Sequence, residues 1–330
     1  MRRKTGEPMT RFLSFIALAA AFTGVAPAAA QSWPSRPVTV IVPFPAGGGT
    51  DAFARPLSAQ LTKQLGQQLV IENRGGAGGN LGAGIAAKAA PDGYTWFMGG
   101  VHHTIAPSVY PKLDYHLAND FVPVALVSSV PQVIVVNPKN IAATDLKGLI
   151  AYLKANPGKV SYGSAGNGSS HHLAGELFKA QTQTFVIHVP YRGAGPALQD
   201  LMGGQVDMMF DGLGSSANHI KGGRLKAIAV AGDKRAPGFA DVPTAAEAGL
   251  PTYKVSTWYG LWAPKGTPAP VVERMASELK NAFASKELQA AWANLGAEPP
   301  TLVGKAFGDF VAGETRRWAD VVKAGNIKAD

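Results

Sequence analysis

Two glycine-rich loops hold the residues best suited to chemistry. The first, residues 43–51, reads PFPAGGGTD and follows a short β-branched run at residues 38–42. Its three glycines free the backbone to turn sharply and to approach a ligand without a Cβ in the way. Thr50 or Asp51 can cap the helix that begins there, while nearby N–H groups and the positive end of the helix dipole face outward. The pattern predicts an anion-binding loop.

The second loop has the same organisation in the other half of the chain. A strand at residues 160–162 runs into residues 163–171, GSAGNGSSH, before the next helix, and hydroxyl groups add further donors. Each loop lies at the C-terminal end of a predicted parallel strand, so two loops from two lobes would face each other across a cleft. This arrangement predicts the capture of a small carboxylate between the lobes, although a glycine-rich turn before a helix can also be a simple connection.

Other chemistries find little support in the sequence. No Gly-Lys pair is followed by Ser or Thr, as a P-loop requires, and residues 73–82 approach G-x-G-x-x-G but break at Leu81. The nucleophile elbow G-x-S-x-G and the zinc motif H-E-x-x-H are absent from the sequence. His172 and Glu176 have a spacing that fits two metal ligands on one helix face, but no third ligand is indicated. We therefore predict no catalytic residues, no metal and no cofactor.

Export is predicted from the N-terminal residues. Four basic residues up to Arg11 precede an apolar run at residues 12–25 and the small-residue site at residues 28–30, which is the order of a secretory signal peptide. The apolar run is shorter than the roughly 20 residues that span a bilayer. We expect cleavage after Ala30 and a periplasmic protein. The chain has no cysteine, which excludes disulfides, thiolate metal sites and a lipid-modified cysteine.

The charge balance is mildly basic. The whole chain carries a formal net charge of +9, and removal of the signal peptide leaves about +6. The basic residues are spread along the chain without a Lys/Arg stripe or an aromatic-basic motif, which argues against nucleic-acid binding. A monomeric protein that collects small anions is the simpler interpretation.

Strand-like apolar runs alternate with helical patterns along most of the chain. This βαβ alternation predicts a largely parallel sheet covered by helices, and roughly 300 mature residues exceed what one hydrophobic core usually organises. We therefore predict an α/β protein of two lobes. Residues 1–30 form the signal peptide, residues 31–130 the first lobe, residues 131–256 the second, and residues 257–330 return to the first. The chain is predicted to cross between the lobes near Val124–Gln132 and Tyr253–Trp258.

Several motifs together resemble those of the Bug, or tripartite tricarboxylate transporter receptor (TctC), family. The resemblance covers nearly the whole mature chain in the family's order. The motifs are residues 43–51, residues 72–80 (ENRGGAGGN), residues 164–172, residues 190–193 (PYRG), residues 241–244 (DVPT), and residues 258–261 (WYGL) with Ala263 and Pro264. The resemblance implies a type II periplasmic binding protein fold, with two α/β lobes joined by a two-strand hinge and a ligand cleft between them.

The resemblance also implies what the protein binds and serves. Family ligands include citrate and other di- and tricarboxylates, acidic amino acids, nicotinate and aromatic carboxylates, and delivery is to a tripartite tricarboxylate-type membrane permease. The alternative is a sensing role, in which the closed form docks on a membrane sensor kinase. By likeness to the family, the ligand-binding residues are Phe44, Pro45, Ala46, Gly47, Gly48 and Asp51 in the first lobe, and Ser164, Ala165, Gly166, Gly168, Ser169 and His171 in the second, with Tyr191 and Arg192 as a wall and a charge and Asp211 at the cleft edge.

The sequence departs from the family pattern at residues 102–107. Ala106-Pro107 stands where the family commonly has Asn-Pro, and His102-His103 precedes it. We include His103 among the ligand-binding candidates, since either histidine could donate to a second carboxylate or to a ring substituent; the alternative is that both are packed or exposed loop residues. Arg192 has a similar alternative, because an arginine there can form a salt bridge at the rim instead. The identity and charge of the ligand stay open.

Overall fold

The computed structural model describes Met1 and residues 33–325. The apolar run of the predicted signal peptide and the cleavage site after Ala30 lie outside the described residues. The chain divides into two compact units, Met1–Ser35 and Arg36–Asp330, and all that follows concerns the second. Within the part of the chain that the structure describes, no helix is long and apolar enough to cross a membrane.

Strands and helices alternate along the second unit, and a 3₁₀ turn at Ala77–Gly79 precedes the second helix. In chain order the elements are β1 (Val38–Val42), α1 (Gly49–Leu65), β2 (Leu69–Asn73), α2 (Asn80–Ala87), β3 (Thr95–Gly100), α3 (His102–Val109), β4 (Phe121–Val136), α4 (Leu146–Ala155), β5 (Ser161–Ser164), α5 (Ser170–Thr182), β6 (Ile187–Pro190), α6 (Ala194–Gly203), β7 (Met208–Gly212), α7 (Leu213–Lys221), β8 (Lys226–Val230), β9 (Ser256–Pro264), α8 (Ala269–Phe283), α9 (Lys286–Ala293) and α10 (Lys305–Gly325).

The strands form a sheet with the order β2-β1-β3-β9-β4-β7-β5-β6, and β8 pairs with β4 beside this path. At the two ends the pairing is parallel, because β1 pairs with β2 and β3, and β5 pairs with β6 and β7. In the centre β4 and β9 run antiparallel to their neighbours. The predicted βαβ units therefore occur in both halves, and an antiparallel centre separates them.

β4 belongs to both halves of the sheet. Its residues 121–131 pair with β9, whereas residues 132–136 pair with β7 and β8. The chain returns just before β9, where the carbonyl of Val255 accepts from the N–H of Gln132 at 2.9 Å and the N–H of Val255 donates to the carbonyl of Ala231 at 3.0 Å. Two adjacent crossings thus join the halves, as a two-strand hinge requires.

Each half of the sheet has its own hydrophobic cluster. Phe97, Trp262 and Phe307 are buried in the half that contains β1 and β3, and the Phe97 and Trp262 rings lie 5.8 Å apart. In the other half, Phe178 and Phe210 pack with ring centroids 5.1 Å apart. Because each half has a packed interior, each can hold its own loops in fixed positions at the sheet edge.

Proline made two elements difficult to predict. The apolar run at residues 133–136 predicts a short strand, but β4 begins twelve residues earlier, at Phe121, although Pro123 and Pro131 lie inside it. Pro123 lies where the pairing with β9 shifts register, a place at which a missing N–H is tolerated. The helix α3 contains Pro107, and no helix was predicted there. His102 and His103 therefore lie in the first turn of a helix.

Candidate functional site

Four helices begin at one small cavity of about 30 Å³, which is roughly the volume of one water molecule. Two of them, α1 and α3, come from the first half of the sheet, and two, α5 and α6, come from the second. The lining residues are Gly48, Gly49 and Thr50 at the start of α1, His102 at the start of α3, Ser169, Ser170 and His171 at the start of α5, Ala194 at the start of α6, and Phe44, Ala165, Thr257 and Tyr259.

The lining offers partial positive charge without a cationic side chain. A helix N-terminus carries about half a positive charge, which resides on N–H groups that lack partners within the helix. α1, α3 and α6 begin without a side-chain cap, whereas the hydroxyl of Ser169 caps α5. No Lys, Arg, Asp or Glu stands among the lining residues that the structure describes. The cavity is therefore suited to a small anion that accepts hydrogen bonds from backbone N–H groups.

The two halves contact each other on either side of the cavity. The carbonyl oxygen of Ala46 approaches Gly195 so closely that a Cβ on Gly195 would overlap it, and Gly47 packs on the same residue. Elsewhere in the cleft, the hydroxyl of Tyr110 on the first half donates to the carbonyl of Asn167 on the second at 2.8 Å. The cleft is therefore narrow, and glycine at position 195 is required for the backbone approach.

Asp211 lies beneath the cavity at the end of β7 and is fully buried. Its Oδ2 accepts hydrogen bonds from Ser215 Oγ at 2.7 Å and from Ser216 Oγ, while its Oδ1 lies 3.5 Å from Nε2 of His171. Burial raises the pKa of Asp211, although His171 and the serines oppose this. Burial also lowers the pKa of His171, with Asp211 opposing. We conclude that the imidazole of His171 is uncharged at neutral pH.

The two adjacent histidines of α3 have different surroundings. His102 lines the cavity, and its ring lies edge-on against Phe44 at 4.6 Å. His103 does not line this cavity; its Nδ1 accepts from the N–H of Gly100 at 3.1 Å, and its Nε2 lies 3.4 Å from the carbonyl oxygen of Gly79. Burial lowers the pKa of His103 to about 3 and also lowers that of His102. Both rings are therefore neutral at physiological pH.

Asp51 supports the first loop from within. Its carboxylate accepts from the N–H of Gly47 at 3.1 Å and forms two hydrogen bonds of 2.8 Å with Arg55. Asn73 Nδ2 donates to the same carboxylate at 3.0 Å and to the carbonyl of Phe44 at 2.9 Å. The side chain predicted to cap α1 thus holds the glycine turn in shape.

Ser164 has the same position in the second loop. Its hydroxyl accepts from the N–H of Gly166 at 3.1 Å and lies 2.6 Å from Nε2 of His188. Burial lowers the pKa of His188 to about 4, so the neutral ring can accept the hydroxyl proton of Ser164. The His188 ring in turn stacks on Tyr162 and His172 at 4.9 and 4.1 Å. This network fixes the loop relative to β5 and α5.

The structure brings many of the predicted site residues to the cleft, but in different roles. Phe44, Gly48, Ala165, Ser169 and His171 line the cavity. Those that lie beside it, where the halves approach each other, are Pro45, Ala46, Gly47, Gly166 and Gly168. Asp51, Ser164 and Asp211 lie behind the lining, as described above.

The remaining three predicted residues lie neither in the lining nor at the contacts described above. Tyr191 donates its hydroxyl to Asp200 at 2.7 Å, Arg192 is exposed, and His103 lies behind His102. Other lining residues were not predicted to bind the ligand: Gly49, Thr50, Ser170, Ala194, Thr257 and Tyr259. The first four are at helix starts, a signal that the sequence does contain. Thr257 and Tyr259 reach the cavity from β9, and only the strand pairing reveals that.

A larger cavity of about 710 Å³ lies between α3 and α10. Its lining is mostly aliphatic and aromatic, with Tyr110, Tyr115 and Trp262 among the residues, and it includes the carboxylates Asp114 and Asp120. These charges would repel an anion. The smaller cavity is therefore the candidate binding site, because its chemistry rather than its volume suits an anion.

Comparison with known families decides the class of protein. The model of the tripartite tricarboxylate transporter family receptor, TctC, matches residues 53–327. The chain belongs to this receptor family. The resemblance noted in the sequence is thereby confirmed, and the protein is a substrate-binding receptor of the TctC type rather than an enzyme.

Solved structures related to this TctC receptor have the same fold. The periplasmic binding protein BugD is 37% identical, with a TM-score of 0.86, over 90% of this chain and 100% of that one. Rpa4515 of R. palustris, solved with adipate, is 36% identical, with a TM-score of 0.86, over 89% and 99%. MatC (Rpa3494) of Rhodopseudomonas palustris, solved with bound malate, is 38% identical, with a TM-score of 0.82, over 88% and 100%. The predicted fold class, a periplasmic binding protein with two α/β lobes, is confirmed.

Proposed function

We propose that this receptor captures a small carboxylate between its lobes in the periplasm and delivers it to a tripartite tricarboxylate-type membrane permease. The observation that carries the proposal is the convergence of four helix N-termini on one cavity whose lining has no charged side chain among the residues described. A carboxylate there accepts hydrogen bonds from N–H groups that otherwise need water. The adipate of Rpa4515 and the malate of MatC support this class of ligand.

Binding requires the lobes to separate and close again. A cavity of about 30 Å³ is far below the roughly 300 Å³ or more of ordinary ligand sites, so a dicarboxylate enters only when the cleft widens. The crossings at β4 and before β9 are the natural hinge. The approach of Ala46 to Gly195 and the bond from Tyr110 to Asn167 then form on closure. A ligand that touches both loops shifts the population toward the closed form.

The proposed contacts follow from the lining. One carboxylate of the ligand accepts from N–H groups in the first turns of α1 and α5, with Phe44 and Ala165 as apolar walls. The lobes that we propose are residues 31–130 with residues 257–330 for the first, and residues 131–256 for the second. Signal-peptide cleavage after Ala30 releases the mature chain. Docking on a sensor kinase would use the same closed form, and neighbouring genes for permease subunits or for a kinase distinguish the two partners.

A thermal-shift screen of the mature protein tests the proposal. The screen covers aliphatic di- and tricarboxylates, acidic amino acids, nicotinate and aromatic carboxylates, each beside the corresponding amide as a control. A ligand at 100 times its Kd adds about 2.7 kcal/mol of stability, so a true ligand gives a clear rise in Tm. We expect a rise with carboxylates and none with amides. No shift with any carboxylate would overturn the proposal.

A further inference from the structure

His102 and His171 line the cavity from opposite halves of the sheet. Both are buried, with 6% and 7% of their surface exposed. Among the residues that the structure describes, Nε2 of His102 and Nδ1 of His171 have no hydrogen-bond partner. Leaving a buried polar atom unsatisfied is costly. Two such atoms in one small cavity indicate that a group of the ligand supplies their partner.

Neighbouring side chains fix both rings before a ligand binds. Nε2 of His171 lies 3.5 Å from Oδ1 of Asp211, an ion-pair distance without a hydrogen bond, and the nearby carboxylate favours the tautomer that has its proton on Nε2. The His102 ring is held between Phe44, at 4.6 Å, and His103, at 4.0 Å. His103 itself is bonded to the backbone. The pair is therefore preorganised.

We infer that His102 and His171 hold a second acidic group of the ligand, so that the cleft selects a dicarboxylate and takes up one proton when it closes. The inference rests on the proposed function, in which helix N-termini hold the first carboxylate. With Nε2–H directed at Asp211, neutral His171 presents a lone pair at Nδ1, which repels a carboxylate. When Nδ1 takes a proton from solvent, His171 becomes an imidazolium between the carboxylate of Asp211 and the second carboxylate of the ligand. His102 donates to the same ligand carboxylate through Nε2.

The surroundings of the two rings explain why the proton arrives with the ligand. Burial lowers the pKa of both histidines, so both are neutral without ligand. A second carboxylate nearby raises both pKa values. Four titratable groups surround the pair. Asp211 on β7 raises the pKa of His171, and His103 on α3 lowers the pKa of His102. Burial keeps Tyr259 on β9 protonated and lowers the pKa of His219 on α7.

Isothermal titration calorimetry at pH 7 tests the inference on the wild-type protein. The probes are succinate and adipate, each beside the monocarboxylate of the same chain length, butyrate or hexanoate. Measurement in phosphate and in Tris gives the number of protons exchanged, because the two buffers differ in ionisation enthalpy. We expect one of the dicarboxylates to bind at least about tenfold more tightly than its monocarboxylate, with an uptake of about one proton. The monocarboxylate should bind with no uptake.

Variants then assign the effect to the two side chains. His171→Gln should abolish the proton uptake and weaken dicarboxylate binding about 10- to 100-fold. His102→Phe should remove the preference for the dicarboxylate, and His102→Gln, whose amide N–H can replace Nε2–H, should restore much of it. His116→Gln is the matched control, since His116 is exposed and does not line this cavity.

The outcomes separate the inference from the function on which it rests. Equal binding of dicarboxylate and monocarboxylate by the wild-type protein, without proton uptake, would overturn the inference and leave the proposed function intact. Failure of every carboxylate in the thermal-shift screen would overturn the proposed function. The proton count on the wild-type protein decides the matter even where a histidine variant fails to fold.

Discussion

Replacing Gly195 by alanine should weaken ligand binding and leave the free protein folded. Gly195 is the second residue of α6, and a Cβ there would overlap the carbonyl oxygen of Ala46 on the opposite lobe. Because the obstructing atom belongs to the backbone, no side-chain rotation relieves the clash. When the lobes are apart the clash does not exist, and alanine favours a helix over glycine by about 0.5–1 kcal/mol. The substitution therefore acts on the closed form.

The size of the effect follows from the cost of one methyl group in a packed contact. Overpacking of this kind costs about 1–3 kcal/mol, and the closed form alone touches the ligand with both loops. The cost should therefore appear in the affinity as a loss of about 5- to 150-fold. Titration calorimetry with the tightest carboxylate of the screen measures the affinity, and thermal unfolding without ligand measures the stability of the free protein.

Gly203→Ala is the matched control, because Gly203 ends the same helix and nothing lies within 4 Å of a Cβ built there. Its affinity should stay within about twofold of wild type. Wild-type affinity for Gly195→Ala would refute the closure of these two loops on each other. An equal loss in both variants would assign the effect to α6 itself.

Three further substitutions test the support of the site. Asp51→Ala should lower the unfolding free energy by about 1–3 kcal/mol, since it removes the acceptor of the Gly47 N–H. The control Asp309→Ala, which breaks an exposed ion pair, should lower it by less than about 1 kcal/mol. Urea unfolding measures both variants, and equal losses would contradict the role of Asp51. Ser164→Ala should weaken ligand binding by about 1–3 kcal/mol, and an unchanged Kd would remove Ser164 from the account. His103 has a folded pKa of about 3, below its unfolded value near 6.5, so the unfolded chain binds more protons between these values. Stability should therefore fall by up to about 1.4 kcal/mol per pH unit as the pH is lowered from 6.5 to 4. His103→Asn should make this slope shallower, and an unaltered slope would show that other groups cause it.

The position of the two glycine-rich loops could be predicted, because it depends on the sequence pattern of each strand, loop and helix. Each glycine-rich loop connects a strand to a helix, and parallel strands place all such connections at one edge of the sheet. Residues 43–51 and 163–171 therefore meet at the cleft, as expected. Likeness to the family placed Phe44 and His171 among the site residues, and both line the cavity.

Other parts of the site depend on long-range pairing. Thr257 and Tyr259 reach the cavity because β9 pairs antiparallel with β4, and Val130 opposite Thr257 sets their position. No local pattern determines that register. His102 begins a helix that contains Pro107, which argues against a helix in the sequence.

The roles of polar loop residues were also difficult to derive from sequence. Asp51 and Ser164 have the side chains expected of ligand-binding residues, yet both bond to their own loops, at Gly47 and Gly166. A tight glycine turn leaves N–H groups that need an acceptor, and the nearest carboxylate or hydroxyl supplies it. Residue type alone therefore does not distinguish a side chain that stabilises its own loop from one that contacts the ligand.

A crystal structure of the protein with the tightest-binding carboxylate of the screen tests the central claim most directly. The account predicts that one carboxylate lies within about 3 Å of N–H groups in the first turns of α1 and α5, between Gly49 and His171. A carboxylate bound in the larger cavity beside Tyr115 and Trp262, or held without contact to any helix N-terminus, would contradict it.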